Sequence, residues 1–198
     1  MANRVFLLPL ALTVTACVSV LPEPETPEAL YRIDVPVGAP RLATDVLIRE
    51  PEAPRIFAGQ AIASEGPDGG LKLVSGIEWA DRSTQLLQDA LIDAFDANGA
   101  GMALSSAGLS QADQSLEWRV VDLHFSDGQA TCKLVVSLHD TAARRVVARD
   151  TISASITSRG RNNGARMSAL KEAATNCVGQ TADFIAAAQD NALVSDAS

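Results

Sequence analysis

Apolar residues follow three rhythms along this chain, and each rhythm predicts a different element. Val5 to Val14 is apolar almost throughout. From Leu30 onward alternation takes over, with Leu30, Arg32 and Asp34 interleaved with Tyr31, Ile33 and Val35, which predicts a first strand at Leu30 to Val35. Further short strands are expected at Asp45 to Arg49, Ile56 to Ala63 and Leu71 to Val74. Gly66, Pro67, Asp68, Gly69 and Gly70 separate the last two with a strong turn signal.

Helical spacing appears twice. In Asp81 to Asn98, Leu86, Leu87, Ala90, Leu91, Ala94 and Phe95 share one side while Gln85, Gln88, Asp89, Asp93 and Asp96 take the other. Asp81 can cap this helix and Gly99 can end it. The second helix is expected from about Ala165 to Gln189, where Met167, Leu170, Ala174, Cys177, Thr181 and Phe184 form one stripe.

Between the helices lie three longer strands, Ser115 to Ser126, Ala130 to Asp140 and Arg145 to Thr157. Ala130, Cys132, Leu134, Val136 and Leu138 alternate with polar residues, and a phase change near Val120-Val121 predicts a bulge. The expected fold is α+β: a two-layer domain with a mainly antiparallel sheet, including a C-terminal three-strand meander, packed by two main helices.

The opening run carries the strongest functional signal. Met1 to Arg4 supplies one cation, the apolar run follows, and Val14-Thr15-Ala16-Cys17 closes it with small residues before a cysteine. About ten apolar residues are too few to span a bilayer, which takes about 20, so the segment reads as a signal peptide. The cysteine turns it into a bacterial lipobox: cleavage before Cys17 frees its amino group for acylation and leaves its thiol for a diacylglyceryl thioether. Several acyl chains, at about 0.8 kcal/mol per buried methylene, hold a protein nearly permanently. Val18 stands where aspartate would signal inner-membrane retention, which favours the outer membrane with the domain in the periplasm.

The expected organisation is a signal peptide over 1–16, a lipidated Pro/Glu-rich tether over 17–29, one folded domain over 30–190 and a disordered tail over 191–198. Pro22, Glu23, Pro24, Glu25, Pro27 and Glu28 make the tether extended. Removing Arg4 with the signal takes the formal charge from −8 to −9. An acidic chain disfavours nucleic acid and electrostatic docking on anionic lipid, so membrane contact is expected from the anchor and from apolar surface. With Cys17 acylated, Cys132 and Cys177 remain as an even pair in an oxidising compartment, both on inward faces. A disulfide between them is expected, the alternative being two buried thiols.

Candidate chemistry is sparse. His124 and His139 lie on strands among polar neighbours and are expected to face solvent; no Gly-x-Ser-x-Gly elbow accompanies the serines. Asp89, Asp93 and Asp96 read as a solvated helix side rather than a cation site. Neither a catalytic nor a metal site is expected, and no cofactor beyond the covalent lipid on Cys17. Arg159, Arg161 and Arg166 form the local basic cluster, a candidate contact for phospholipid head groups or for an acidic partner. Trp79 and Trp118 are expected to pack in the core.

Certain residues also carry a family resemblance. The lipobox at Cys17, Leu30-Tyr31-Arg32-Ile33, Trp79-Ala80-Asp81 leading into Leu86-Leu87-Gln88-Asp89-Ala90-Leu91, Leu116-Glu117-Trp118-Arg119-Val120, Arg145-Val146-Val147-Ala148 and the alanine-rich last helix stand in the order of one family. The chain resembles the PqiC-type auxiliary lipoproteins of ABC-type transport systems with MCE components. That resemblance implies a non-enzymatic lipoprotein that docks at the outer membrane and helps move phospholipids or other hydrophobic molecules between membranes. It implies an MCE-domain protein and an ABC permease complex as partners, with a homo-oligomer in keeping with the family. The alternative reading from the same lipobox and composition is a scaffold or chaperone for outer-membrane assembly, serving barrel or lipopolysaccharide insertion.

Overall fold

A computed structural model describes residues 26–38, 40–105 and 112–196 of the chain. Its elements are β1 (Ala29–Tyr31), β2 (Val46–Ile48), α1 (Arg55–Ala58), β3 (Ala61–Glu65), β4 (Leu71–Trp79), α2 (Ser83–Asp93), β5 (Ala103–Ser105), β6 (Gln114–Ser126), β7 (Gln129–Asp140), β8 (Arg145–Thr157) and α3 (Asn163–Asp196).

All the strands join one sheet built around β6. β7 pairs antiparallel along the whole of one edge of β6, from Gln114↔Asp140 to Ser126↔Gln129, and β8 pairs antiparallel with β7. The other edge of β6 is shared. β2 pairs parallel with its beginning (Val46↔Gln114), Glu52 bridges Arg119 midway, and β3 pairs parallel with its end (Ala63↔His124). The chain from β2 to β3 therefore runs alongside β6 in one direction, with α1 as an excursion. β1 on β4 and β5 on β2 add further parallel pairs, and β3 with β4 is antiparallel.

The α+β class holds, but the sheet is mixed where a mainly antiparallel one was expected. The expected strand Ile56 to Ala63 is divided. Pro54 fixes its backbone, its carbonyl accepts the Phe57 amide at 2.8 Å, and one helical turn forms before β3 starts at Ala61. β5 had no expected counterpart. β1 ends at Tyr31 because the following residues leave the sheet for α3: Lys171 Nζ lies 3.1 Å from the Asp34 carboxylate, and Thr175 Oγ1 donates to the Asp34 carbonyl. The expected bulge is present as a register shift between Val120 and Asp122.

The core lies between the sheet and α3. Ala130, Cys132, Leu134, Val136 and Leu138 of β7 are all buried, as are Met167, Leu170, Ala173, Ala174, Cys177, Val178 and Ile185 of α3. Alternation on the strand and helical spacing on the helix each present one apolar face, and the two faces meet. α3 continues through Asp196, into the stretch assigned from sequence to a tail. It is long, roughly 50 Å at 1.5 Å per residue, yet among the described residues no helix is both long and apolar enough to cross a membrane.

α2 is shorter at both ends than the expected Asp81 to Asn98. Asp81 accepts the Arg82 amide at 2.6 Å, outside the helix. Leu87 and Leu91 are fully buried, each contributing about 1.5–3 kcal/mol through apolar burial. Gln88, expected on the polar side of the helix, is instead buried and fixes the helix over β2 by donating to the Ile48 carbonyl at 2.7 Å, and Ser83 Oγ donates to the Phe57 carbonyl. Trp79 is buried, and Trp118 is buried with its indole N–H donated to the Arg49 carbonyl at 2.6 Å.

Candidate functional site

Cys17 lies outside the described residues, so the site begins where the chain leading from it joins the sheet. The Glu28 amide donates to the Gly76 carbonyl at 2.9 Å, and β1 then runs parallel to β4 from Ala29↔Ile77. Gly76 sits in an irregular stretch of β4, where the register slips between Ala61↔Glu78 and Ile62↔Val74. Its φ of 79° is one that glycine adopts without strain. Followed backward from Ala29, the chain leaves toward the start of β4.

Several connections cluster at that end of the sheet. The β3–β4 turn (66–70) is closed by the Gly66 amide on the Gly70 carbonyl. The β6–β7 turn has Asp127 and Gly128 at φ 45° and 80°, and Ser158 after β8 donates its amide to the Gly128 carbonyl. The β8–α3 connector returns here as well. Asn162 Oδ1 accepts the Ala165 amide at 2.8 Å to start α3, and Asn163 Nδ2 reaches the Ser75 carbonyl at 3.4 Å.

The three arginines of the basic cluster meet this end in different ways. Arg166 is half-buried: its guanidinium carbon lies 4.8 Å from the centre of the Phe125 ring and Nη2 donates to Ser64 Oγ at 2.8 Å. Arg159 and Arg161 are exposed. The structure thus assigns Arg166 to holding α3 on the sheet and leaves the other two facing outward.

At the same end, Leu71 and Leu73 project from β4 with 40% and 59% of their surface exposed. Register places them opposite Glu65 and Ala63, on the face away from α3, while Lys72 pairs with Ser64 on the α3 side. A strand was expected here from sequence, and the structure adds that its two leucines are exposed.

Cys132 and Cys177 come together as expected from their inward faces, but as free thiols rather than as the expected disulfide. Both are fully buried, and Cys177 Sγ donates to the Cys132 carbonyl at 3.2 Å. Burial pushes the Cys132 thiol well above its ordinary value, and the neighbouring Cys177 thiol adds to the rise.

His124 corrects another expectation: it is buried rather than solvent-facing. Phe57 of α1 stacks on it with ring centres 6.0 Å apart and planes at 15°. Its Nε2 lies 3.3 Å from Glu65 Oε2, whereas Nδ1 is buried without a hydrogen-bond partner, 4.0 Å from Asp122 Oδ1. His139 is half-buried with Nε2 3.5 Å from Glu117 Oε2.

A groove of about 780 Å³ lies at the opposite end of the sheet among Thr44, Leu47, Asp113, Asp140, Arg145 and Gln189. A second, about 510 Å³, crosses the outer sheet face at Arg49, Glu52, Glu117, Arg119, Ser137 and Arg149. Both mix charged and apolar groups.

The fold is shared with solved protein structures. Protein XCC0632 from Xanthomonas campestris, of the DUF330 family, superposes with a TM-score of 0.71 at 21% identity, over 84% of this chain and 96% of that one. An uncharacterized protein superposes with a TM-score of 0.62 at 12% identity, over 81% and 99%. No curated protein sequence matches the chain. The family model of the ABC-type transport auxiliary lipoprotein component matches residues 19–186, from just past Cys17 almost to the end of α3, and the chain belongs to that family.

Proposed function

We propose that this chain is the lipid-anchored, non-enzymatic auxiliary component of an MCE-type ABC transport system. Acylated at Cys17, it stands on the periplasmic side of the outer membrane and helps phospholipids or other hydrophobic molecules pass between membranes. The observation that carries this reading is the family match over residues 19–186, directly behind a lipobox cysteine. ATP hydrolysis and membrane passage belong to other chains of the system, and this domain contributes docking surface.

The tether supports that division of labour. A dozen residues of Pro/Glu-rich chain, at about 3.1 Å each, span at most roughly 35–40 Å, which keeps the domain within that distance of the acyl chains. The anchor therefore sets where the domain works. Affinity isolation of the tagged protein from envelopes is expected to recover an MCE-domain protein and permease subunits, and deletion is expected to sensitise cells to detergent. Cys17→Ala is expected to leave the fold intact and abolish the role. Recovery of unrelated proteins only, together with normal detergent resistance in the deletion strain, would overturn the reading.

A further inference from the structure

We infer that the end of the domain carrying the β3–β4 turn and the β8–α3 connector rests on the same membrane that holds the anchor, with Leu71 and Leu73 seated at the lipid interface. This rests on the reading of Cys17 as the lipidated residue.

Three independent observations converge on that end. Followed back from Ala29, the chain bonds Glu28 to Gly76, and β1 is parallel to β4, so the described residues on the Cys17 side leave the sheet heading toward the Leu71 end. Leu71 and Leu73, exposed on one face of β4, stand near the turn that leads this end. Cations belong to the same end of the sheet: Lys72 on the other face of the same strand, and the exposed Arg159 and Arg161 on the β8–α3 connector. Aliphatic side chains flanked by long cations suit the boundary between acyl chains and phosphates, where the apolar part enters and the charged heads remain with the head groups.

Charge alone does not drive the contact. Glu28, Glu65, Asp68 and Asp127 occupy the same end and offset Lys72, Arg159, Arg161 and Arg166. Contact therefore depends on the two leucines and on the closeness imposed by the anchor, which raises their effective concentration at the surface. It is weakly sensitive to salt and to the fraction of anionic lipid. The β7–β8 turn around Ala142 lies at the far end of the sheet and points away from the membrane.

The test uses the full protein purified from envelopes and reconstituted into vesicles of phosphatidylethanolamine and phosphatidylglycerol. An environment-sensitive fluorophore is placed at Lys72→Cys in one sample and at Ala142→Cys in another, both exposed, while Cys132 and Cys177 stay buried and unlabelled. Brominated lipid is expected to quench the first probe several-fold more than the second. Adding Leu71→Ser and Leu73→Ser, two exposed changes that spare the core, is expected to erase that difference while the circular dichroism spectrum is unchanged. Equal quenching of the two probes, stronger quenching at Ala142→Cys, or quenching that survives loss of both leucines overturns the inference while leaving the anchor intact. Protein that does not float with the vesicles at all instead removes the lipidation reading, and this inference falls with it.

Discussion

Cys177 Sγ on α3 donates to the backbone carbonyl of Cys132 on β7 across 3.2 Å, joining the long helix to the middle of the sheet through two buried thiols. Because burial raises the Cys132 thiol, its neutral form is the one the fold favours. Both cysteines are expected to resist alkylation in the native protein and to react fully after denaturation without reductant. Failure to react until reductant is added would show a disulfide instead. The pH dependence follows by linkage: the folded value lies above the unfolded one, so the contribution is whole below the ordinary thiol range and declines as pH rises through it. Unfolding by urea should therefore show a falling midpoint above about pH 8.5, the unperturbed thiol value. That fall should be smaller in Cys132→Ala.

The pairing of Cys132 with Cys177 was legible because both belong to simple periodicities, alternation on β7 and a helical stripe on α3. Other relationships were hidden for identifiable reasons. Which strand lies beside β6 is decided by residues distant in sequence, so Val46↔Gln114 and Ala63↔His124 leave no local trace, and the parallel pairs were missed. Ile56 and Phe57 read as strand because two apolar residues in a row carry no period, while the deciding residue was Pro54. His124 has polar neighbours along its strand and is covered by Phe57 from another element. In the basic cluster, spacing grouped Arg166 with Arg159 and Arg161, but only tertiary structure places Phe125 and Ser64 beside it.

Gln189 is the polar residue on which the C-terminal half of α3 depends. Its Oε1 accepts the Ala43 amide at 2.8 Å, and its Nε2 donates to the Thr44 carbonyl at 3.2 Å and to Gln114 Oε1 at 2.9 Å. One buried amide thus fastens α3 to the segment before β2 and to the start of β6. Gln189→Leu keeps the volume but leaves these backbone groups unpaired, at a cost of about 2–4 kcal/mol. Urea unfolding should show a lowered midpoint with an unchanged slope. Equal stability would mean that water replaces the amide.

Gly101 permits the close approach of the chain before β5 to the chain before β2. Its amide donates to the Leu42 carbonyl at 2.9 Å, and a Cβ there would overlap the Thr44 backbone carbonyl. Because the obstacle is backbone, no side-chain rotation relieves it. Gly101→Ala is expected to cost about 3 kcal/mol, at the upper end of ordinary overpacking. Hydrogen exchange should quicken first in β5 and β2, whose pairing from Val46↔Ala103 begins directly beyond this contact. Gly128→Ala provides the comparison, since a Cβ there meets no atom within 4 Å and only its φ of 80° is unfavourable. Its effect should be smaller and confined to the β6–β7 turn.

His124 tests whether this domain keeps a histidine for chemistry or for packing. Its ring is stacked on Phe57, its Nε2 faces Glu65, and its buried Nδ1 has no hydrogen-bond partner. A buried nitrogen left unpaired costs about 1–3 kcal/mol, whereas the Glu65 side chain, about one third exposed, can return to water. His124→Phe retains a ring against Phe57 and removes the unpaired nitrogen, so thermal unfolding should show stability unchanged or raised by about 1 kcal/mol. His124→Ala removes the ring from between α1 and the sheet and should destabilise by about 2–3 kcal/mol through the space it leaves. The two variants also separate roles in cells. A packing residue gives normal envelope function with Phe and a loss with Ala that tracks protein abundance, while a chemical role gives loss of function in both at normal abundance. The stacking on α1 predicts the first pattern, because the ring face packs against Phe57 while its nitrogens face the Glu65 carboxylate at 3.3 Å and the Asp122 carboxylate at 4.0 Å.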